Sequence, residues 1–184
     1  MSFKMKFQEM VQDIKPDIVS ATAACEELRK SKKFSTILKL VLVIGNYMAA
    51  GSTFGQAIGF EISYLPKLKS TKAADNKTTL LHFLVQQVEE EHPDCLNFWE
   101  EIHHVDRASR VSPEQLQKNL SSMKKSINQL EMDLKNFRPY NHSDRFGDAM
   151  VKFLDDAKEK FQVLEQMFSK MDRLFKEIAQ YYVF

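Results

Sequence analysis

Four residues in the middle of the chain carry side chains that bind transition metals: His92, Cys95, His103 and His104. Imidazole and thiolate are good zinc ligands, but structural zinc sites draw them from closely spaced pairs. Here the spacing fits no such frame, no second Cys pair is present and acids flank the group, so no metal site is expected. Paired carboxylates are the next material for chemistry, since they supply general acids and bases. Glu89-Glu90-Glu91 and Asp155-Asp156 fall on predicted solvent faces, where such groups are hydrated. His82 follows two leucines and reads as a satisfied, half-core side chain, not as a base. No phosphate loop and no nucleophile elbow occurs. The chain is therefore not expected to be an enzyme or to need a cofactor, and its function is sought in binding.

The totals point the same way. Twenty-six Lys and Arg stand against 25 Asp and Glu, a net charge of +1, which gives no global argument for nucleic acid. Charge is uneven only locally. Residues 29–39 hold Arg29, Lys30, Lys32, Lys33 and Lys39 with no acid, an electropositive patch or a solvated turn. Residues 67–77 hold Lys67, Lys69, Lys72 and Lys77 against Asp75 alone, and residues 89–106 hold seven acids. Five Gly and five Pro in 184 residues suit long helices in one domain. Cys25 and Cys95 lie in different segments and read as unpaired thiols of a reducing compartment. No leader opens the sequence, so secretion is not expected, and the N-x-S/T matches at Asn76, Asn119 and Asn141 carry no weight.

The elements that must position these residues are helical. Residues 3–31 read as helix, with Pro16 a break or second start. Its stripe is Phe7, Met10, Val11 and Ile14, then Ile18, Ala21, Cys25 and Leu28. From Phe34 to Met48, ten of fifteen residues are large and apolar and do not keep to one face. Such a helix is expected to be enclosed by others. Lys39 inside the run, and an unbroken apolar core far shorter than ~20 residues, exclude a membrane span. Glycines at its end offer close backbone approach or a left-handed stop. Ser52–Glu61 is looser, Ile62–Leu68 is a short piece interrupted at Pro66, and Lys69–Lys77 is a basic loop. Thr78 or Thr79 caps a helix to Glu91 whose buried face is Leu80, Leu81, Phe83, Leu84 and Val88, and His92-Pro93 closes it. Leu96, Phe98, Trp99, Ile102 and Val105 form a small cap.

The last third is the most regular. Ser112-Pro113-Glu114-Gln115 is a helix start. Leu116, Leu120, Met123, Ile127, Leu130, Leu134 and Phe137 then alternate steps of four and three, a heptad seam. After a break at Arg138–Asp144, with Pro139, Asn141 and the candidate cap Ser143, a second series runs from Phe146 to Tyr182. It has a stutter between Ala157 and Phe161. The two helices, ~38 Å and ~60 Å long at 1.5 Å per residue, should fold back on each other. The fold class is all-α, an elongated bundle with an antiparallel coiled-coil hairpin at its end. Residues 1–111 are a helical core and 112–184 the hairpin. The Phe content of the last helix implies packing against more than one neighbour.

Several of these segments carry a resemblance. Gly45-Asn46-Tyr47-Met48-Ala49-Ala50-Gly51 resembles the GNYMNxG signature of the formin homology 2 domain. The likeness continues through Gly59-Phe60, Lys67-Leu68, Thr71-Lys72, Thr79-Leu80-Leu81-His82-Phe83, Ala108-Ser109-Arg110-Val111-Ser112 and Leu116-Gln117-Lys118-Asn119-Leu120. It covers most of the chain and is closest to diaphanous-class formins. Ala49 stands where the signature usually has Asn. The resemblance implies an all-helical, cytoplasmic, cytoskeletal module that nucleates actin filaments and rides their barbed ends. Two copies join head to tail, the lasso of one gripping the post of the other. Gly45, Asn46, Tyr47, Met48 and Gly51 would form the lasso pocket and dimer contact. Lys77 matches an actin-contacting lysine, with Lys72 and Lys69 as weaker candidates. Actin and a second such domain are the implied partners, without nucleic acid or membrane insertion. Trp99 is the only tryptophan, so no Trp-bearing lasso is read in the chain, which looks like the central-to-C-terminal part of the domain. The other reading is a helical adaptor that binds the lasso of full-length formins.

Overall fold

The computed structural model describes residues 2–51, 55–72, 77–138 and 145–182. Among them are six α-helices: α1 (Ser2–Lys30), α2 (Lys32–Met48), α3 (Leu80–Glu91), α4 (Val105–Ala108), α5 (Pro113–Asn136) and α6 (Phe146–Tyr182). Two 3-10 helices, Ile62–Lys69 and Pro93–Glu101, link them, and the described residues form no strand, only one isolated bridge. The all-α expectation holds. Ser52, Pro139, Asn141 and Ser143 lie outside the described residues, as do Asp75 and Asn76.

The chain packs as two compact units. One comprises residues 1–23 and 105–173. Its core joins Phe7, Ile14 and Ile18 of α1 to Leu116, Leu120, Met123 and Ile127 of α5 and to α6 from Met150 to Met171. Ion pairs Lys124–Glu165 and Glu131–Lys158 fix the direction of α5 against α6. Seven residues forward along α5 match seven back along α6, so the two run antiparallel. The further neighbour predicted for α6 is α1: Phe3 and Phe7 both meet the Phe153 ring edge-on, with centroids 5.8 and 5.9 Å away. Pro16 neither breaks nor restarts α1. It sits on the exposed face, where water can take the carbonyl that its missing N–H leaves unpaired.

The other unit comprises residues 24–104 and 174–184. Val41 of α2, Leu68 of the first 3-10 helix, Leu80, Leu84 and Val88 of α3, and Cys95 form its main cluster. Cys25, Leu174 and Ile178 form a second. The series from Phe146 to Tyr182 puts Phe175 in the α6 seam, but here Leu174 is buried and Phe175 is 47% exposed. Cys25 and Cys95 are separate buried thiols without a disulfide, and burial pushes both above the ordinary thiol range.

Three expectations are corrected in this unit. Enclosure of α2 on all sides is not found, because one face, with Lys39, Val43 and Tyr47, is left open. Val41 alone is fully buried, while Val43 is 63% exposed. Phe83, Leu96 and Trp99 also point outward. His82 is exposed, not half-core. Its ring Nδ1 accepts the Thr79 N–H at 3.2 Å while the Thr79 hydroxyl faces the His82 N–H, a reciprocal cap on α3.

Candidate functional site

The end of α2 is shaped by its own backbone. Ser31 starts the helix: its buried hydroxyl accepts the Phe34 N–H at 3.1 Å and donates to Glu101 at 2.7 Å. Glu101 also takes the Lys33 N–H, and the Lys33 ammonium reaches Asn97 Oδ1 at 2.7 Å. Part of the basic patch is thus committed to holding α2. At the other end the Ala49 N–H donates to the Gly45 carbonyl, and Gly51 takes φ +88°, the left-handed stop that glycine allows. Gly45 plays a different part. A Cβ added there would meet nothing within 4 Å, so it leaves open space beside the helix. Close approach belongs to Gly55, where a Cβ would lie 2.6 Å from the Ala49 carbonyl oxygen.

Asn46 is the residue whose job sequence reasoning missed. Its amide donates to the Ala57 carbonyl at 2.8 Å and accepts the Ala57 N–H at 3.0 Å. This two-bond clamp holds the following segment against α2. Asparagine alone among the small residues offers a donor and an acceptor side by side, which is the signal available in the sequence. Tyr47 and Met48 stand out from this framework, 82% and 58% exposed, and Ile58 of the clamped segment is fully exposed.

Two cavities flank α2. One, of about 410 Å³, is almost wholly apolar and lies among Phe34, Leu81, Val85, Cys95, Phe98 and Trp99. The other, of about 290 Å³, is bounded by Leu38, Leu42, Phe60, Ile62 and the Tyr181–Tyr182 pair. Gly45, Asn46, Tyr47, Met48 and Gly51 lie together on the exposed end of the helix and line neither cavity.

The lysines are gathered by a loop neck. Lys72 pairs with Thr79 in an antiparallel bridge, and the Leu80 N–H donates to the Thr71 carbonyl at 2.8 Å. This places exposed Lys72 and Lys77 on one closed excursion, with exposed Lys69 at the end of the preceding 3-10 helix. Among the described residues no helix is long and apolar enough to cross a membrane.

The family model of the Formin Homology 2 Domain matches residues 1–184. The chain belongs to the formin homology 2 family. It is 49% identical over 185 residues to Protein diaphanous of Drosophila melanogaster, covering all of this chain and 17% of that protein. It is 49% identical over 181 residues to Protein diaphanous homolog 3 of Homo sapiens, covering 98% of this chain and 15% of that protein. Formin-H of Dictyostelium discoideum is 36% identical over 184 residues, again with 17% of its length covered. The chain thus spans under a fifth of the relatives it matches. The exposed end of α2 and the α3 cap lie in Gly45–Gly51 and Thr79–Phe83, two of the segments that carry the resemblance to this family.

Proposed function

We propose that these residues are the actin-binding part of a diaphanous-class formin. The formin nucleates actin filaments and elongates them processively at barbed ends, in the cytoplasm and on the cytoskeleton. Its partners are actin and a second formin homology 2 chain, joined head to tail in the intact domain. The role is binding, not bond-making chemistry. Residues 1–111 act as the post and 112–184 as a hairpin whose helices pack as a coiled coil.

The observation that carries this reading is Tyr47, 82% exposed at a rigidly capped helix end inside the family signature. A tyrosine buries ~150–250 Å² when covered, which at ~25 cal/mol per Å² is a gross gain of about 4–6 kcal/mol. A lasso from a second chain docking over Gly45, Asn46, Tyr47, Met48 and Gly51 supplies that cover. Lys77, supported by Lys72 and Lys69, meets the actin surface. An exposed ammonium contributes little until binding desolvates it.

Taken alone, these 184 residues do not nucleate. Pyrene-actin assembly checks this: sub-micromolar chain should leave the lag unchanged, and vigorous nucleation would overturn the claim. In the intact domain, Lys77→Ala should slow barbed-end elongation with unchanged helicity, and unaltered elongation would remove that lysine from the site. The exposed α2 end also favours a second reading, an adaptor that captures the lasso of full-length formins. Light scattering of the mixture tests it, and the absence of a mixed complex at tens of micromolar would discard it.

A further inference from the structure

The stretch from His92 to His104 lacks a ligand frame of its own, but the fold brings Glu27 to it from 77 residues before His104. The His104 backbone N–H donates to Glu27 Oε2 at 2.9 Å, and its ring Nδ1 lies 2.5 Å from Glu27 Oε1. His103 Nε2 lies 3.5 Å from the same Oε1. One donor atom from each residue falls within 4.8 Å of the other two, and all three residues belong to the same compact unit.

A backbone contact leaves one ring nitrogen of His103 to face Glu27. His103 Nδ1 is 2.9 Å from the Glu100 carbonyl oxygen, which can only accept, so Nδ1 carries the proton. In the neutral ring Nε2 is then a bare lone pair facing a carboxylate oxygen. Two acceptors so placed repel unless a proton or a metal ion stands between them. Glu27 is the least exposed of the three, its side chain 18% accessible.

We propose that Glu27 Oε1, His103 Nε2 and His104 Nδ1 together form a binding site for a zinc-class divalent cation. Zinc bonds of ~2.0–2.2 Å place tetrahedral ligand atoms about 3.3 Å apart. His103 and Glu27 already stand at 3.5 Å. The His104 contact opens by under about 1 Å as the metal takes the Nδ1 lone pair, the ring keeping its one proton on Nε2 as a neutral ligand. Water fills the fourth position, since the His103 and His104 side chains are 66% and 43% exposed. The Glu100 carbonyl on His103 and the His104 amide on Glu27 are the outer contacts that orient metal ligands elsewhere. Two imidazoles and one carboxylate select zinc over magnesium or calcium, which prefer oxygen. Bound metal staples the end of α1 to the segment before α4. Cys95, 3% exposed in the apolar cluster, takes no part.

The test is calorimetric titration of zinc chloride into the untagged, chelator-treated chain, with cobalt absorption as a second readout. The expected result is one metal per chain, a higher Tm with zinc, and a cobalt spectrum without a thiolate charge-transfer band. His103→Ala should weaken zinc about tenfold or more while leaving the metal-free Tm close to that of the parent, because that ring is largely exposed. Glu27→Gln should do the same to affinity. No stoichiometric binding up to millimolar zinc overturns the site, as does affinity unchanged in His103→Ala. A thiolate band, which would put the metal on Cys25 or Cys95, also overturns it.

Discussion

Among the described residues, Ser20 carries a buried side-chain oxygen left unsatisfied. It is 3% exposed on α1, and its hydroxyl has no hydrogen-bond partner. A buried polar group left unpaired costs ~1–3 kcal/mol, so Ser20→Ala should stabilise the chain by about 1 kcal/mol. Chemical denaturation reads this as a higher midpoint at unchanged slope, and a lower midpoint would show that the hydroxyl is used. His82 is a contrasting case. Its two leucine neighbours place it in the core by pattern, yet it caps α3 from outside. The pattern could not show this, because a helix start is set by the backbone N–H groups that need partners. Asn46 is similar: its partner, the Ala57 peptide, is irregular backbone without a periodic signal.

At the scale of elements the long helices were the most legible. Residues 112–136 start and end as the cap and seam require, with Ser112 accepting the Gln115 N–H. Heptad spacing works because each buried position faces a neighbour throughout. It fails at Phe175 because α6 there passes from one core to another, and Leu174 turns inward instead. Pro16 misled for the opposite reason: a break was inferred from backbone rules, and burial of Ile14 and Ile18 on either side holds the helix through it. Glu131 gives the α5–α6 pairing a pH signature. The hydrogen bond and charge of Lys158, 2.9 Å away, together with the charge of Lys135, hold its carboxyl below the ordinary 4.5. A depressed carboxylate contributes stability above its unfolded pKa and loses it as pH falls through the folded value. The Tm difference between parent and Glu131→Gln should therefore be present at neutral pH and vanish on acidification. A difference constant across pH would mean the pair does not titrate with folding.

For the molecule as a whole, the telling feature is apolar surface left in water around α2. Tyr47, Met48, Val43 and Ile58 are exposed together with Trp99 at the neighbouring apolar cavity. Tyr47→Ser should leave the isolated chain's stability within about 0.5 kcal/mol, as for other exposed sites, while removing the capture by a second formin homology 2 chain that is proposed above. A large fall in Tm with capture intact would reverse the assignment of Tyr47 from contact to core. The run from Phe34 to Met48 shows how far the pattern reaches. Its composition predicts a helix closed in on all sides, and one face is open, because hydrophobicity records which surfaces avoid water and not whether the covering partner lies in the same chain. Helix type, helix limits and family membership were determined by the sequence alone, since caps, periodicity and signature residues act over a few turns. Only the tertiary structure decided that Glu27 meets His103 and His104 and that Lys72 closes on Thr79. Those meetings depend on where distant segments cross, and local spacing carries no record of that.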